Sequence, residues 1–411
     1  MNKHKLKPGW QLMKFGDIAQ NVAVRVDPAK ANTDIYVGLE HLDPSTLHLR
    51  QWGHPSDVTG QKLVFKKGDV IFGRRRAYQR KLAIAEFDGI CSAHAMVVRA
   101  KPKVILPEYL PFFLQSDMFM KRAIEISVGS LSPTINWKTL CIQEFPLPPL
   151  EEQKRIAEIL WAADNAFEYN ISLKQTAQKL YLATIEHRLF DKANKDVKVE
   201  ELATINSATL SESRTPPDYR FKYLDIGTVI APKTIGELSC YSFSDAPSRA
   251  RRVVEDHDIL LSTVRPNLKS FVRVEKLKEV IIASTGFVVL SPKSRAIGSI
   301  LFHAFFSKRF EDFCEARVTG TSYPAISAKD IGEFKICISK NDEAVTATAK
   351  AIDAIDEAIA NIDFNISQLD ALKKVLAKKT LSEDAYAQQK GLLRRQTHLL
   401  QLLHPKRMAD E

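Results

Sequence analysis

At 411 residues, 45% of them hydrophobic, the chain can bury more than one core, which excludes a single small domain. A net charge of +10, from 59 basic and 49 acidic residues, favours a polyanionic partner, above all nucleic acid. Five scattered cysteines (Cys91, Cys141, Cys240, Cys314, Cys337) form no Cys-x-x-Cys pair, so neither a disulfide framework nor a zinc site is expected.

No apolar run reaches membrane length and the basic stretch Met1 to Trp10 lacks an apolar core, so a soluble, cytoplasmic protein is expected. Residues 1–149 read as a mixed α/β domain. Short β-rich runs at Asp34 to Leu39, Asp69 to Phe72 and Ala95 to Val98 precede a helix-like stretch from Pro107 to Met120. Pro146, Pro148 and Pro149 then force an extended approach to a helix whose first turn holds Glu151 and Glu152, suited to the positive end of its dipole. From Ile156 to Leu180 apolar residues recur at alternating spacings of three and four, the pattern of a coiled-coil seam. This helix, assigned to 150–190, would be about 55 Å long at 1.5 Å per residue, which is a spacer.

The same order then returns. Ile35 to Leu39 is echoed by Lys222 to Ile226, Lys67 to Phe72 by Asp256 to Leu261, and Met96 to Val98 by Phe287 to Val289. Val128-Gly-Ser-Leu-Ser-Pro-Thr-Ile135 is answered by Val318-Thr-Gly-Thr-Ser-Tyr-Pro-Ala-Ile326. The pairs lie about 190 residues apart, far beyond a solenoid period, so the chain is a tandem duplication of domain plus helix. The second domain spans 191–340 and the second helix 341–387, with a basic amphipathic tail at 388–411 that either docks or is disordered. Leu150, Ile156, Leu160 and Phe167 on one helix and Ile352, Ile355, Ile359 and Ile362 on the other are the expected seam or docking face. The simplest arrangement pairs the helices antiparallel, with Asn170 on the seam as a register lock. The expected fold is thus two tandem α/β domains separated by two long antiparallel coiled-coil helices, related by a pseudo-twofold.

Catalytic motifs are largely missing: there is no phosphate loop, no dinucleotide-binding GxGxxG and no Asn/Asp-Pro-Pro-Tyr/Phe tetrapeptide. His41, His48 and His54 cluster without metal-ligand spacing. One nuclease-like Glu-x-Lys element exists at Glu333 and Lys335; its place in the first half, Gln143 to Pro146, lacks the lysine, which points to structure instead of metal-dependent cleavage. A DNA-independent coiled-coil scaffold is the other alternative. The chemistry that does recur is basic. Arg74, Arg75, Arg76, Tyr78, Gln79, Arg80 and Lys81 follow a strand in the first domain; Arg265, Asn267, Lys269 and Arg273 stand in the corresponding place of the second. Arginine can grip a guanine edge or a phosphate, and Gln79 and Asn267 suit adenine. Gly129-Ser130 and Gly320-Thr321 can turn backbone N–H groups toward a phosphate. Lys121, Arg122, Arg249, Arg251 and Arg252 are further phosphate candidates. No metal site is expected.

Leu147-Pro-Pro-Leu-Glu-Glu-Gln-Lys-Arg-Ile-Ala157, with the loops Gly129 to Ile135 and Gly320 to Ile326, resembles the DNA-specificity subunit of type I restriction–modification systems. The resemblance extends over nearly the whole chain in length, order and duplication. It implies two target-recognition domains, each reading half of an interrupted DNA sequence, on a non-catalytic subunit that binds no cofactor itself. It also implies two methyltransferase subunits that bind S-adenosylmethionine and methylate adenine, and restriction subunits that use ATP and Mg. One departure stands out: Ile336-Cys-Ile-Ser-Lys-Asn-Asp-Glu-Ala-Val345 opens the second helix without a proline-rich approach, which leaves symmetric docking of two partners open.

Overall fold

The computed structural model describes residues 6–191, 194–231, 233–319 and 324–381. It divides into two compact units, one running up to Asn170 and resuming at Asn365, the other Ile171–Phe364.

In the first unit Gln11–Lys14 pairs antiparallel with Glu144–Leu147. This ribbon has two strands only, so Pro146 removes no N–H that a further strand would need. A four-stranded antiparallel sheet follows in the spatial order Ala19–Asn21, Met96–Ala100, Val70–Phe72, Leu82–Ile84. A second sheet runs Arg25–Val26, Lys62–Phe65, Gly89–Cys91, Tyr36–Val37, its last pair parallel. The helix-like stretch of the sequence is two helices, Leu110–Gln115 and Asp117–Glu125, broken at Ser116. The Ser116 hydroxyl closes the first by donating to the Phe113 carbonyl (2.6 Å) and caps the second by accepting from the Phe119 N–H (3.1 Å). Phe15, Phe113, Phe119 and Phe145 meet in the core with ring centroids 5.2 to 6.4 Å apart, an arrangement that ties the ribbon to the helices.

The second unit repeats this plan. Lys195–Lys198 pairs with Lys335–Ile338, and one four-stranded sheet runs Ala203–Ile205, Phe287–Pro292, Ile259–Ser262, Phe271–Arg273. In the other sheet Arg220–Leu224, Ile281–Ser284 and Ala250–Val254 match three strands of the first unit; the fourth, Ser239–Ser242, lies beside Arg220–Leu224, on the opposite edge from Arg25–Val26 in the first unit. Ser307 breaks Arg295–Ala304 from Lys308–Glu315 just as Ser116 does. The strand register corrects one sequence echo. Glu144 lies opposite Lys14 as Lys335 lies opposite Lys198, so Glu144 corresponds to Lys335 and not to Glu333. The helix Ala328–Glu333 uses up that glutamate before the strand begins, while Phe334 still fills the aromatic place of Phe145, 4.9 Å from Phe310.

The long helices are Leu150–Leu189 and Asp342–Leu381. They begin differently. At the first, the Pro149 carbonyl accepts from Glu152 and Gln153 N–H groups (2.9 and 3.0 Å). At the second, the Asn341 side chain accepts from Glu343 N–H (2.8 Å), so an Asn cap does what the prolines do at the other end of the duplication. Gln153 is buried and satisfied: its amide donates to the Val104 and Pro148 carbonyls (3.0 and 2.9 Å) and its carbonyl accepts from Leu106 N–H (2.9 Å). The helix start is thereby bolted to the first α/β domain.

In each unit the two helices lie side by side. Asp164 pairs with Lys373 in the first and Lys174 with Asp363 (2.5 Å) in the second; the partner number falls as the other rises, so the helices are antiparallel. Ile156 and Leu160 share the first core with Leu376 and Leu381, and Phe167 lies half-buried under the Lys373 ammonium. Ile352 is buried with Tyr181, Ile185 and Leu189, Ile355 and Ile359 pack on that core, and Ile362 is buried. Two expectations need correction. Leu150 is exposed, because it is the first residue of its helix with no preceding turn to pack beside. Asn170 is no cross-helix lock: its amide donates to the Ala166 carbonyl of its own helix (2.8 Å). The basic tail at 388–411 lies outside the described residues.

Candidate nucleic-acid interface

In the first unit the strands Val70–Phe72 and Leu82–Ile84 are joined by a loop that holds one 3-10 turn, Ala77–Gln79. Arg76 (φ 55°) and Arg80 (φ 54°) bracket it, both in the left-handed region. In the second unit the turn is Pro266–Leu268, bracketed by Arg265 (φ 50°) and Lys269 (φ 51°). A side chain with a Cβ adopts this conformation at a cost of about 1 kcal/mol, so strain is stored four times where glycine would remove it. The surroundings enforce it. Arg76 N–H donates to the Pro133 carbonyl (2.7 Å) and Ile135 N–H to the Arg74 carbonyl (3.0 Å). Arg265 N–H donates to the Pro324 carbonyl (2.8 Å) and Ile326 N–H to the Thr263 carbonyl (2.9 Å). Each turn is thus stapled to the segment that follows the Gly-Ser/Thr loop of its own unit.

The expected contact residues divide by where their side chains go. Tyr78 is 52% exposed at the crown of the first turn, with Gln79 beside it; Asn267 and Leu268, the latter 59% exposed, hold the same places in the second. Asn267 therefore corresponds to Tyr78, and Gln79 to Leu268. Arg75 and Arg76 are exposed and both reach the Ser132 hydroxyl (3.3 Å). Arg80 pairs with Asp117 (2.6 Å) and Lys269 with Glu311 (3.2 Å). Gly129 and Ser130 are exposed in the first unit, Gly129 at φ 118°, and Arg265 is exposed in the second. Gly320 and Thr321 lie outside the described residues.

Three expected contacts turn inward instead. Arg74 donates to the Ala93 carbonyl (3.1 Å) and its Nε is buried with no hydrogen-bond partner. Lys81 donates to the Leu39 carbonyl (2.8 Å). Arg273 sits at the far end of the hairpin from the crown, paired with Asp353 (3.2 Å) and Glu275 (3.0 Å) and lying on the Phe302 ring. All three are long side chains at strand ends, where a neighbouring carbonyl or carboxylate is nearer than solvent. Sequence reasoning misses Ser132 and the left-handed brackets. A signal exists: Arg76/Arg80 and Arg265/Lys269 share one spacing, but nothing in charged residues announces positive φ.

Both hairpins are fastened to the long helices, the first at the end away from its crown and the second at both ends of the strand Phe271–Arg273. In the first unit Ile84 N–H donates to the Leu47 carbonyl (2.8 Å), and the next residue, His48, places Nδ1 on Glu86 (2.5 Å) and Nε2 on buried Asp164 (2.9 Å), which also holds Lys373. Only a doubly protonated ring donates to both carboxylates, and these hydrogen bonds, Asp164's foremost, outweigh burial and push its pKa up to about 9. Arg50 adds two bonds to Glu168 (2.6 and 2.7 Å). In the second unit Lys233 N–H donates to the Phe271 carbonyl (2.9 Å), its ammonium pairs with Asp356, and Arg273 and His303 both bind Asp353. Asp164 and Asp356 occupy the same step of their helices, counted from Leu150 and Asp342.

Glu333 and Lys335 do not converge on a reactive centre: one closes a short helix, the other opens an edge strand opposite Lys198. Among the described residues no group of three or more His, Cys, Asp or Glu side chains is placed to hold a metal, and no helix is long and apolar enough to cross a membrane.

Residues 8–178 match the family model described as the type I restriction modification DNA specificity domain. The chain is 23% identical to the type I restriction enzyme MjaVIII specificity subunit of Methanocaldococcus jannaschii, over 93% of this chain and 94% of that one. It is 30% identical to the type I restriction enzyme EcoDI specificity subunit of Escherichia coli, over 39% of this chain and 35% of that one. Its fold is that of the crystal structure of the type I restriction–modification S subunit from M. genitalium, with a TM-score of 0.60 at 16% identity, covering 93% of this chain and 98% of the other. With a duplicated α/β domain, paired long helices and relatives of one kind matched over most of their length, the chain resembles the DNA specificity subunits of type I restriction–modification systems, whose specificity-domain model its residues 8–178 match.

Proposed function

We propose that each unit presents its bracketed turn to one half of an interrupted DNA sequence, and that the long helices set the gap between the halves. The observation that carries this reading is the recurrence of one strained, cation-bracketed turn in both units, stapled by the same backbone bonds while its crown differs. Strain is retained where function needs a fixed shape. Tyr78, Gln79, Asn267 and Leu268 are the proposed base-edge contacts, in the sense that crown residues reach furthest from the backbone. Arg75, Arg76, Arg80, Arg265 and Lys269, with the loop at Gly129, Ser130, Gly320 and Thr321, are the proposed phosphate contacts. Phosphate contacts position the domain and base contacts select the sequence.

Specificity subunits act on DNA within complexes that contain methyltransferase and restriction subunits, and on this reading the chain itself is non-catalytic. Two methyltransferase subunits that bind S-adenosylmethionine and methylate adenine, and restriction subunits that use ATP and Mg, are the proposed partners, placed in the cytoplasm with the DNA. Sequencing the methylated sites of cells that carry the complex tests the proposal. A bipartite site is expected, and exchange of residues 1–149 for the equivalent domain of a relative changes one half only. A contiguous site, or a change in both halves, would overturn it.

A further inference from the structure

We infer that the charged fastenings of the two hairpins, His48 on Asp164 and Lys233 on Asp356, are positioning devices that make the protein selective for gap length. The inference rests on the bipartite reading above. A reading turn can measure a gap only if it is rigid relative to the helix that carries it. The turn itself is stapled, and its hairpin shares a buried core with the helix through Phe72 and Leu82, apolar packing to which the charged groups add a directional link. In the first unit the path from turn to helix is short: Arg80, then the strand Leu82–Ile84, then Glu86 and Leu47, which hold His48 from two sides. His48 then binds Asp164, and Asp164 binds Lys373 of the other helix.

One carboxylate, 2% exposed, therefore joins the reading hairpin to both long helices. In the second unit the path is Lys269, then Phe271, whose carbonyl holds the Lys233 that pairs with Asp356, and at the far end of the strand Arg273, which pairs with Asp353. Both units place buried or half-buried charge at the same step of the helix, where apolar packing would hold the domain without fixing its angle. Buried ionic groups are best attested in that role, as setters of register.

The test uses the full chain assembled with its methyltransferase subunits and duplexes that carry both half-sites with the native gap, one base pair fewer, or one more. The wild-type complex is expected to methylate the native gap preferentially; no gap preference at all would overturn the bipartite reading itself. In His48→Ala and Lys233→Ala the preference for the native gap is expected to fall about tenfold, with the sequence of each half-site unchanged. His48→Lys, which keeps a cation facing Asp164 and Glu86, is expected to restore most of it. Unchanged gap preference in both alanine variants, or an equal loss of methylation at every gap, would overturn the inference, because a merely stabilising contact would act without regard to spacing.

Discussion

Between Arg76 and Arg80 the first unit carries Ala77, Tyr78 and Gln79; between Arg265 and Lys269 the second carries Pro266, Asn267 and Leu268. The backbones agree in four left-handed residues and in the bonds to Pro133 and Pro324. The difference is instructive because those bonds involve only main-chain atoms. Nothing in the frame depends on what the crown residues are, so the crown is free to differ, as the proposed reading of two different half-sites requires. The fastenings diverge in another way. They use a charged histidine at one helix and a lysine at the other, yet both end on an aspartate at the same helical step.

The largest effect should come from breaking that second likeness. Asp164 is 2% exposed between His48 and Lys373, whereas Asp356 is 27% exposed beside Lys233. Asp164→Ala leaves the half-buried Lys373 without its carboxylate and His48 with Glu86 alone, and is expected to cost about 3 kcal/mol. Asp356→Ala, where solvent screens the pair, should cost about 1 kcal/mol. Urea unfolding of the full chain measures both, and equal losses would show that the two fastenings are alike in strength as well as in place.

The crown is sharpened next. Tyr78→Ala and Asn267→Ala should each relax one base pair, in opposite halves of the site, by about 1 to 3 kcal/mol of discrimination. Methylation of single-substitution site variants reads this directly. Relaxation in both halves by either variant would erase the distinction between the crowns.

Much of the architecture is legible in the amino-acid sequence. The duplication, the two long helices and the basic post-strand segments follow from periodicity and charge, because each repeats and repetition is hard to imitate by chance. What periodicity and charge do not reach is local. The register of Glu144 against Lys335 depends on where a short helix stops, and Leu150 leaves the seam for want of a preceding turn. Arg74, Lys81 and Arg273 are told from the other basic residues only by the acceptors that the fold brings within their reach. Positive φ at arginine and lysine has no compositional sign at all, since glycine and asparagine are the usual markers.

Acidity should separate the fastenings by sign. His48 faces Glu86, Asp164 (itself bound to Lys373) and the Trp161 ring, and titrates at about 9 in the fold against an ordinary 6.5. Its stabilisation is therefore complete below 6.5 and is lost as pH rises through about 9. His303 faces Tyr181 through Nδ1 and Asp353 through Nε2, with Arg273, Lys233 and Asp356 nearby; burial, the largest influence, holds its pKa below 6.5. The unfolded chain takes up a proton that this ring resists, so the second unit should weaken as pH falls below 6.5. Melting curves from pH 5.5 to 9.5, with His48→Ala removing only the alkaline loss, test the assignment. An alkaline loss that survives His48→Ala would assign it elsewhere.

The smallest effect isolates the frame from its charge. At Arg80 and at Lys269 both glycine and alanine remove the cation and its pair with Asp117 or Glu311, so the two variants differ only in backbone. Alanine keeps a Cβ in the left-handed region and glycine does not, so Arg80→Gly should be more stable than Arg80→Ala by about 1 kcal/mol, and Lys269→Gly than Lys269→Ala by about the same. DNA binding should not distinguish them: each of the four should lower the salt dependence of binding by about one phosphate contact, leaving the half-site sequences unchanged. If glycine bound DNA more weakly than alanine at equal salt, the stored strain would itself be holding the turn in its binding shape. If glycine and alanine matched in both stability and binding, the left-handed brackets would be a by-product of the bonds to Pro133 and Pro324, and the charge alone would explain why the turn was duplicated.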